Sequence, residues 1–315
     1  MGNKAYDNLI VSSAPHLVSP VDTSRIMGAV LLALIPSLGV STYVFGHRVL
    51  SLTLVCMAAC VAFEYLFNVM TKRTQTISDL SAMVTGVLLA FNLPSNLSYL
   101  IAVIGCFVAI VIVKGLFGGL GQNVANPAIT ARIVLFLSFT TQMNTWPLPR
   151  ALRAADAVTG PTPLGILKEG NGVLPSNLDM FSGVIGGSMG EVSAVALLLG
   201  GIFLIWRQVI SPIIPVSFIA TVAVLALAAG QDPIFHITAG GVMIGAFFMA
   251  TDYATSPRLP LGKLIFGVGC GCFTMLIRVF GSYPEGVSFA ILLMNIITPH
   301  IDNFCERRLL GGGEK

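Results

Sequence analysis

The stretch VLSLTLVCMAACVAFEYLFNVM, residues 49–70, contains a single charged side chain, Glu64. An α-helix rises about 1.5 Å per residue, so about 20 apolar residues cross the roughly 30 Å hydrocarbon core of a bilayer. The whole chain has this character, because 55% of its 315 residues are hydrophobic and only 10% are charged, with mean hydropathy +0.87. Soluble domains carry about 25% charged residues. The sequence therefore predicts an integral membrane protein.

Apolar segments of this kind recur along the chain, five on each side of a polar stretch at 143–190. Several are shorter than a full crossing, so they are either tilted or half-helices that end inside the membrane against protein. The predicted segments run roughly over 26–45, 49–70, 79–93, 97–117, 127–142, 192–206, 211–229, 236–253, 262–280 and 286–304. We therefore expect an all-α integral membrane protein with about ten transmembrane helices.

This layout divides the chain into an N-terminal arm (1–25), a first transmembrane half (26–142), a loop (143–190), a second transmembrane half (191–304) and a tail (305–315). An even number of crossings puts both termini on the same side. If that side is the cytoplasm, 12 of the 17 basic residues fall on or near it, leaving 5 outside. Cytoplasmic loops are expected to hold the excess, so the arm and tail are predicted to be cytoplasmic and the loop external.

The two transmembrane halves show a weak internal repeat. MVTGVLLAFNLPSN (83–96) aligns with VMIGAFFMATDYATSP (242–257), and further along each half a basic residue, Lys114 or Arg278, precedes a Phe-Gly pair. Five crossings is an odd number, so the two copies must point in opposite directions. Inverted repeats with short, Gly- or Pro-interrupted segments typically enclose a site near the midplane. The alternative is a chance likeness between Gly-rich apolar segments.

Five stretches of the sequence occur in an order that resembles a known family. They are LIVSSAPHLVSPVDTSRIMGAVLLALIP (9–36), NVANPAITARI (123–133), DAVTGPTPL (156–164), GGSMGEVSAVALLLGG (186–201) and FMATDYATSP (248–257). Together they resemble the RnfD component of the Rnf complex and the related NqrB component of the sodium-translocating NADH:quinone reductase. The resemblance spans nearly the whole chain, and the threonine-containing run DAVTGPTPL is its most specific part.

In that family, FMN is attached through its phosphate to a threonine hydroxyl by a flavin transferase, which reads a pattern close to D-x-x-[ST]-G-A-T. The matching positions are Asp156, Thr159, Gly160 and Thr162, so the resemblance implies a phosphoester of FMN on Thr162. Pro161 stands where the pattern has alanine. Proline fixes its own φ and disfavours α geometry at the preceding residue, so recognition by the transferase is expected to be altered.

Attachment of FMN through a phosphoester requires the same residue types. The acceptor must be a hydroxyl on a loop that the transferase reaches, Gly160 allows close backbone approach, and the prolines hold the loop extended. A covalent link also prevents loss of the flavin from a site that is open to the exterior. The alternative is a plain proline-rich turn between two crossings.

Five further residues are candidate flavin contacts. Ser188 and Glu191 belong to GGSMGE (186–191), which precedes the sixth apolar segment. If this run forms the N-terminus of a helix, its free N–H groups would attract phosphate or flavin ring oxygens. The alternative is a loop-to-helix junction capped by Ser188. Asn126, together with Asn123, offers an amide to the isoalloxazine edge; the alternative is that Asn126 simply precedes Pro127 at a first helical turn. Asp252 binds a cation or a second flavin's polar edge, or caps neighbouring donors.

Two kinds of residue in the apolar segments need separate interpretations. Glu64 lies in an apolar segment, where an ionised side chain is costly and usually functional, but a glutamate that is paired or snorkels beside Lys72 and Arg73 is the favoured interpretation. The six cysteines form no CxxC pair, so they are interpreted as small apolar side chains. A role in a metal centre shared with a partner is the alternative.

The resemblance implies an electron-carrying subunit of an ion-translocating ferredoxin:NAD⁺ oxidoreductase that moves Na⁺ or H⁺. It implies a covalent FMN and a second, non-covalent flavin (riboflavin). The implied partners are an FMN-bearing G-like subunit, iron–sulfur A/E-like membrane subunits, a cytosolic NADH-side C-like subunit, the flavin transferase and membrane lipid, with no nucleic acid. The expected location is the cytoplasmic membrane of a prokaryote. A five-plus-five layout also suits a permease or channel for a small solute or ion, since fold alone does not decide function. A scaffold protein without a cofactor is a third hypothesis.

Overall fold

The computed structural model describes residues 22–150, 159–170, 174–183, 185–281, 283 and 285–309. Within these residues the chain is helical, and the one β-type contact is an isolated antiparallel bridge between Pro147 and Thr159. The helices are α1 (Thr23–Phe45), α2 (His47–Met70), α3 (Ser81–Phe91), α4 (Tyr99–Phe107, continued as a π-helix over Val108–Gly115), α5 (Pro127–Ser138), α6 (Thr140–Met143), α7 (Pro163–Glu169), α8 (Asn177–Ser182), α9 (Ala194–Trp206), α10 (Ile213–Ala228), α11 (Pro233–Thr238), α12 (Val242–Ile244, continued as a π-helix over Gly245–Met249), α13 (Pro260–Phe280) and α14 (Val287–Leu309). The predicted all-α fold class is confirmed.

Each of the ten predicted apolar segments contains helix, but the helices differ in length. By length and composition, α1, α2, α13 and α14 are able to cross a membrane. The other apolar helices are shorter; α9, for example, has 13 residues and so spans about 20 Å. The eighth predicted segment, 236–253, is divided between α11 and α12. The fold thus combines full-length spans with half-length helices, and the count of ten crossings stays a prediction.

The outer surface of the helices is apolar. Less than half of each long helix's apolar window is buried within the protein. Large hydrophobic side chains stand exposed around the molecule, including Tyr43 at 85%, Met70 at 82% and Phe280 at 82%. Soluble monomers rarely expose contiguous apolar surface of this kind, so lipid is the medium that this surface fits.

Local signals set several helix boundaries. Asn126 caps α5, and its Oδ1 accepts from the backbone N–H of Ala128 at 3.0 Å, while Pro127 occupies the first turn, where no N–H is needed. Ser193 caps α9 in the same way, accepting from Ala196 N at 3.3 Å. α1 ends at Gly46, whose φ of 103° favours glycine. The bend between α1 and α2 is therefore encoded locally.

The two halves of the chain meet at the middle of the molecule. Asn126 Nδ2 donates to Met249 O at 3.2 Å, and Arg132 Nη1 donates to Ser288 Oγ at 2.6 Å. Polar contacts therefore join the first half to the second, in addition to the continuous hydrophobic core that both halves share.

Candidate functional site

The threonine motif is held against the segment that follows α6. Gly160 N donates to Trp146 O at 3.0 Å, and Thr159 forms the bridge with Pro147. A Cβ at Gly160 would lie 2.9 Å from Leu148 Cδ2, so glycine allows the close approach expected at this position. Asp156, the first residue of the motif, lies outside the described residues.

Thr162 is the N-cap of α7. Its backbone is extended (ψ 159°), and its Oγ1 accepts from the backbone N–H of Gly165 at 3.2 Å. Pro163 occupies the first helical turn, so the extended entry and the helix start are both built into the sequence. The residue is only 6% exposed. The hydroxyl that the sequence predicts to be on an accessible loop is therefore covered in this conformation, and a transferase would have to open the start of α7.

Ser188 and Glu191 lie in a loop that passes into the centre of the fold. Gly190 N donates to Phe91 O at 2.7 Å, Met189 N donates to Leu93 O at 3.1 Å, and Ser41 Oγ donates to Met189 O. Because Ser193 caps α9, the interpretation of Ser188 as the cap is wrong, and GGSMGE does not form the N-terminus of that helix. Ser188 is fully buried and its Oγ has no hydrogen-bond partner.

Glu191 takes part in a buried charge cluster with Arg132 and Glu285. Arg132 Nη2 lies 3.8 Å from Glu191 Oε1 and contacts Glu285 Oε2 directly. Arg132 and Glu191 are each 5% exposed, and Glu191 Oε1 has no hydrogen-bond partner. One arginine thus serves two carboxylates, so the cluster contains an acceptor that the protein itself leaves unsatisfied.

Aromatic side chains gather beside this cluster. Trp146, Phe136, Tyr283 and Phe289 line a cavity of about 30 Å³, together with Arg132 and Glu285. The Tyr283 and Phe289 rings stack, with centroids 6.2 Å apart, and Tyr283 meets Phe136 edge to face. The carbonyl of Trp146 accepts from Gly160 N, so this aromatic cavity adjoins the threonine motif.

Asn126 and Asp252 lie at a different place, in a cavity between the two halves. Both line a space of about 80 Å³, and so do Asn123, Ser81 and Lys114. Asp252 accepts from Thr255 Oγ1 at 3.1 Å, which supports the capping interpretation, while the Asn126 amide is used by the α5 cap and by Met249. The candidate site residues are therefore divided between two locations, and the Asn126 side chain already makes hydrogen bonds within the protein.

The inter-half cavity contains an unsatisfied amide. Asn123 is 9% exposed, and its Oδ1 has no hydrogen-bond partner. The sequence analysis named Asn123 together with Asn126 as an amide contact for the flavin, and its free acceptor makes it the more available of the two asparagines.

Glu64 is paired, as the sequence interpretation favoured, but the partner differs from the expected one. Lys114 Nζ lies 2.8 Å from Glu64 Oε1 and 2.6 Å from Ser81 Oγ. Thr76 Oγ1 adds a hydrogen bond to the same carboxylate at 2.7 Å. Lys72 and Arg73 form no salt bridge with Glu64 within the described part of the chain. The contact joins α2 to the π-helical end of α4.

The cysteines are unpaired, and five of the six are buried; Cys272 is exposed. Buried, unpaired cysteines agree with their interpretation as small apolar side chains.

Sequence reasoning missed Arg132 and Glu285 as site residues. The available signal was a charged residue inside an apolar segment, since Arg132 lies in the fifth segment and such residues usually mark a functional site. It went unused because nothing in the local sequence names a partner 153 residues away.

The fold and this site together define a polytopic helical membrane protein with buried charges at its centre and a threonine loop beside an aromatic cavity. The NQR2, RnfD, RnfE family matches residues 10–311, and the chain belongs to that family.

Curated relatives agree with this assignment. The chain is 49% identical to the D subunit of the Na⁺-translocating ferredoxin:NAD⁺ oxidoreductase complex of Acetobacterium woodii, with 96% of each chain covered. It is 43% identical to the D subunit of the proton-translocating ferredoxin:NAD⁺ oxidoreductase complex of Clostridium ljungdahlii, with 94% of each covered. It is also 40% identical to the D subunit of the ion-translocating oxidoreductase complex of Stutzerimonas stutzeri, over 91% of this chain and 92% of the relative. The resemblance found in the sequence is confirmed.

Proposed function

We propose that this chain is the membrane-embedded flavoprotein subunit of an Rnf-type complex. In this role it relays electrons between ferredoxin and NAD⁺, coupled to the movement of Na⁺ or H⁺, and carries FMN on Thr162 through a phosphoester. The observation that supports the electron-transfer role is identity of 49% over 96% of both chains to a protein whose name states that reaction; the FMN on Thr162 is proposed from the threonine motif at 156–162. Both cations are included because similar relatives are named for sodium and for proton translocation.

The environment of Thr162 suits a phosphoester. Its Oγ1 acts as an acceptor for Gly165 N, and replacing the hydroxyl hydrogen with phosphorus leaves that oxygen able to accept. The start of α7 would therefore survive modification. Ser188 Oγ and Glu191 Oε1 are buried, and their side chains interact with each other. The ionic partner of Glu191 Oε1, Arg132 Nη2, is 3.8 Å away, so a bound flavin would give these atoms nearer hydrogen-bond partners, as buried polar groups normally have.

The aromatic cavity beside the motif contains the residues that would hold the isoalloxazine ring. At about 30 Å³ it is far smaller than the roughly 300–1,000 Å³ of typical ligand pockets, so these side chains would have to move apart to admit the ring. Trp146, Tyr283 and Phe289 offer faces for stacking, and the Arg132 guanidinium provides positive charge and N–H donors. When bound, FMN accepts and passes on electrons singly or in pairs, while the protein supplies positioning and electrostatics. The part of this chain is to orient the ring, exclude water around it and hold charge close to its polar edge.

The second, non-covalent flavin belongs in the inter-half cavity under this proposal. Asn123 Oδ1 has no partner there and would accept from the imide N–H of the ring. At about 80 Å³ the cavity is smaller than the roughly 300–1,000 Å³ of typical ligand pockets. The side chains of Leu120 and Tyr253, which line it and are 42% and 58% exposed, would have to move apart.

The proposed topology has ten crossings in two inverted repeats, with cytoplasmic termini and an external flavin loop. One structural parallel supports the repeat. Lys114 and Arg278 are both buried and lie in the last turns of corresponding helices. The proposed partners are the G-like, A/E-like and C-like subunits of the complex and the flavin transferase.

Covalent flavin on a denaturing gel is the decisive experiment. We expect the full chain, co-expressed with the transferase, to give a fluorescent band after denaturation. Peptide mass spectrometry should find one FMN, less water, on the peptide that contains Thr162. Thr162→Val should abolish both signals, whereas Thr162→Ser keeps the hydroxyl and the α7 cap and should retain at least part of the signal.

Two further variants sharpen the result. Thr145→Ala removes an exposed hydroxyl outside the motif and should leave the fluorescence unchanged. Pro161→Ala restores the family pattern and should increase the fraction of chains modified. A dark wild-type band in the presence of the transferase would defeat the flavoprotein proposal, and the permease or channel would become the leading function.

A further inference from the structure

A separate polar cavity lies where α13 ends, beside α7. It has a volume of about 220 Å³ and is lined by Lys168, Gln231, His236 and Arg278, together with Leu164, Leu167 and Val279. This volume is several times the roughly 30 Å³ share of one water molecule. The lining contains three basic side chains and no carboxylate.

Arg278 is buried at this cavity and is incompletely satisfied. It is 7% exposed, Nη1 donates to His236 O at 2.6 Å and Nη2 donates to Ala239 O at 2.8 Å, but Nε has no partner. No carboxylate of the described residues lies within salt-bridge distance of Arg278 or Lys168. The nearest candidates, Glu191 and Glu285, are both paired with Arg132. These two carboxylates outnumber the one arginine that they contact and act on Arg278 through space, so the guanidinium charge is partly balanced, and the unmet group at the cavity is its Nε–H.

His236 adds a second unsatisfied donor. It is 2% exposed, its Nδ1 lies 3.4 Å from Arg278 Nη1, and its Nε2 has no partner. Because the guanidinium only donates, Nδ1 is the acceptor of that contact, so the neutral ring carries its proton on Nε2. Two buried N–H groups at one cavity, from Arg278 and His236, thus lack acceptors, and Gln231 Oε1 in the same lining is a buried acceptor without a donor. The Lys168 ammonium lies on the exposed rim, where it donates to Gly281 O.

We propose that this cavity binds a phosphate group. A phosphate offers several strong acceptor oxygens and negative charge, which match the free N–H groups of Arg278 and His236 and the ammonium of Lys168. The group has two sources, inorganic phosphate and the headgroup of an anionic phospholipid. The rim residue Val279 and its neighbour Phe280 are 41% and 82% exposed, so apolar surface for acyl chains adjoins the cavity. The proposal does not depend on the flavin at Thr162.

Two binding measurements on the full chain separate the sources. In the first arm, radiolabelled inorganic phosphate is titrated against the chain in phosphatidylcholine nanodiscs at constant chloride. In the second arm, the chain is extracted from nanodiscs that also contain phosphatidylglycerol, and native mass spectrometry counts the phosphatidylglycerol molecules that it retains. Binding in the first arm identifies free phosphate, and retention in the second identifies a lipid headgroup. If neither binds, the cavity holds water only and the proposal is overturned.

Variants assign any binding to this cavity. Lys168→Gln removes an exposed charge and should weaken binding roughly fivefold. Arg278→Gln should weaken it by about tenfold or more; because Arg278 also ties two carbonyls, Lys168→Gln is the variant that remains informative if Arg278→Gln does not fold. Lys263→Gln changes a lysine at the opposite end of α13 and should have no effect.

Two results would contradict the assignment. Equal weakening by Lys168→Gln and Lys263→Gln would mean that the anion binds through general surface charge. Phosphate binding that appears only in Thr162→Val would mean that the covalent flavin normally fills the cavity. We expect Thr162→Val to bind phosphate as the wild type does, so failure of the flavin proposal leaves this one standing.

Discussion

Replacing Lys114 with methionine tests the buried ion pair that joins α2 to α4. The Lys114 and Glu64 side chains are 4% and 6% exposed, their charged atoms are 2.8 Å apart, and Glu64 Oε2 already lacks a hydrogen-bond partner. Removing one member of such a pair leaves an uncompensated buried charge, which costs about 3–5 kcal/mol. We expect Lys114→Met to lower the free energy of unfolding by that amount, measured by reversible denaturation in mixed micelles.

The double variant distinguishes a charge effect from a packing effect. Lys114→Met combined with Glu64→Leu removes both charges, and such replacements are often neutral or stabilising, so most of the loss should be recovered. The coupling energy from the double-mutant cycle should be favourable and exceed about 2 kcal/mol. Lys263→Met, at a partly exposed lysine, should change stability by less than about 0.5 kcal/mol. A Lys114→Met variant within about 1 kcal/mol of the wild type would refute the buried charge pair.

Three further predictions concern packing, capping and pH. Gly200→Ala should destabilise the fold by about 1–3 kcal/mol, because a Cβ there overlaps Ala33 O of α1. The control Gly39→Ala, where no atom lies within 4 Å of the added Cβ, should be neutral or stabilising. Equal melting temperatures for the two variants would contradict the close α1–α9 contact. Asn126→Ala should lower the free energy of unfolding by about 1–2 kcal/mol. Asn126→Asp should recover only part of this loss, because it keeps the capping oxygen but loses the amide that donates to Met249 O. Full recovery, measured by denaturant unfolding, would show that the hydrogen bond to Met249 contributes nothing. The pKa of Asp232 is lowered, chiefly by the hydrogen bond from the Asn177 side chain, so its stabilising contribution is present above the carboxyl's ordinary pKa of 3.8 and is lost as the pH falls through the lowered value. Asn177→Ala should therefore melt at a lower temperature than the wild type at neutral pH and at the same temperature in acid. A difference that persists in strong acid would show that the effect does not come from the hydrogen bond to the Asp232 carboxylate.

Much of the fold was predictable because its signals are local. Residues 49–70 predicted a helix that the structure places at His47–Met70. This was possible because the free energy of moving an apolar side chain from water into a membrane depends mainly on that side chain itself. The start of α5 followed from Asn126-Pro127, where a capping oxygen and a proline lie adjacent in the sequence. The same signal at Thr162-Pro163 was interpreted as part of an extended loop, whereas the structure begins α7 there. The order of five motifs predicted the family, which the comparisons confirmed.

The site was predictable only in part. The sequence marked Thr162 as the acceptor and correctly associated it with glycine at position 160, but it treated the hydroxyl as accessible. Burial of Thr162 depends on how α7 packs against the rest of the protein, which no short pattern encodes. In the same way, Ser188 matched a cap pattern, yet the loop that contains it is drawn toward α1 and α3 by contacts far away in sequence.

The sequence by itself determined that the protein lies in a membrane, that it is helical, which family it belongs to and which threonine is the candidate for FMN. These properties follow from composition, from hydrophobic runs and from residues that are neighbours along the chain. Only the tertiary structure decided that Glu64 pairs with Lys114, that Arg132 serves Glu191 and Glu285, and that Asn126 and Asp252 lie apart from the threonine loop. Electrostatic and hydrogen-bond partners are chosen by distance in space, and that distance is fixed only when the helices pack.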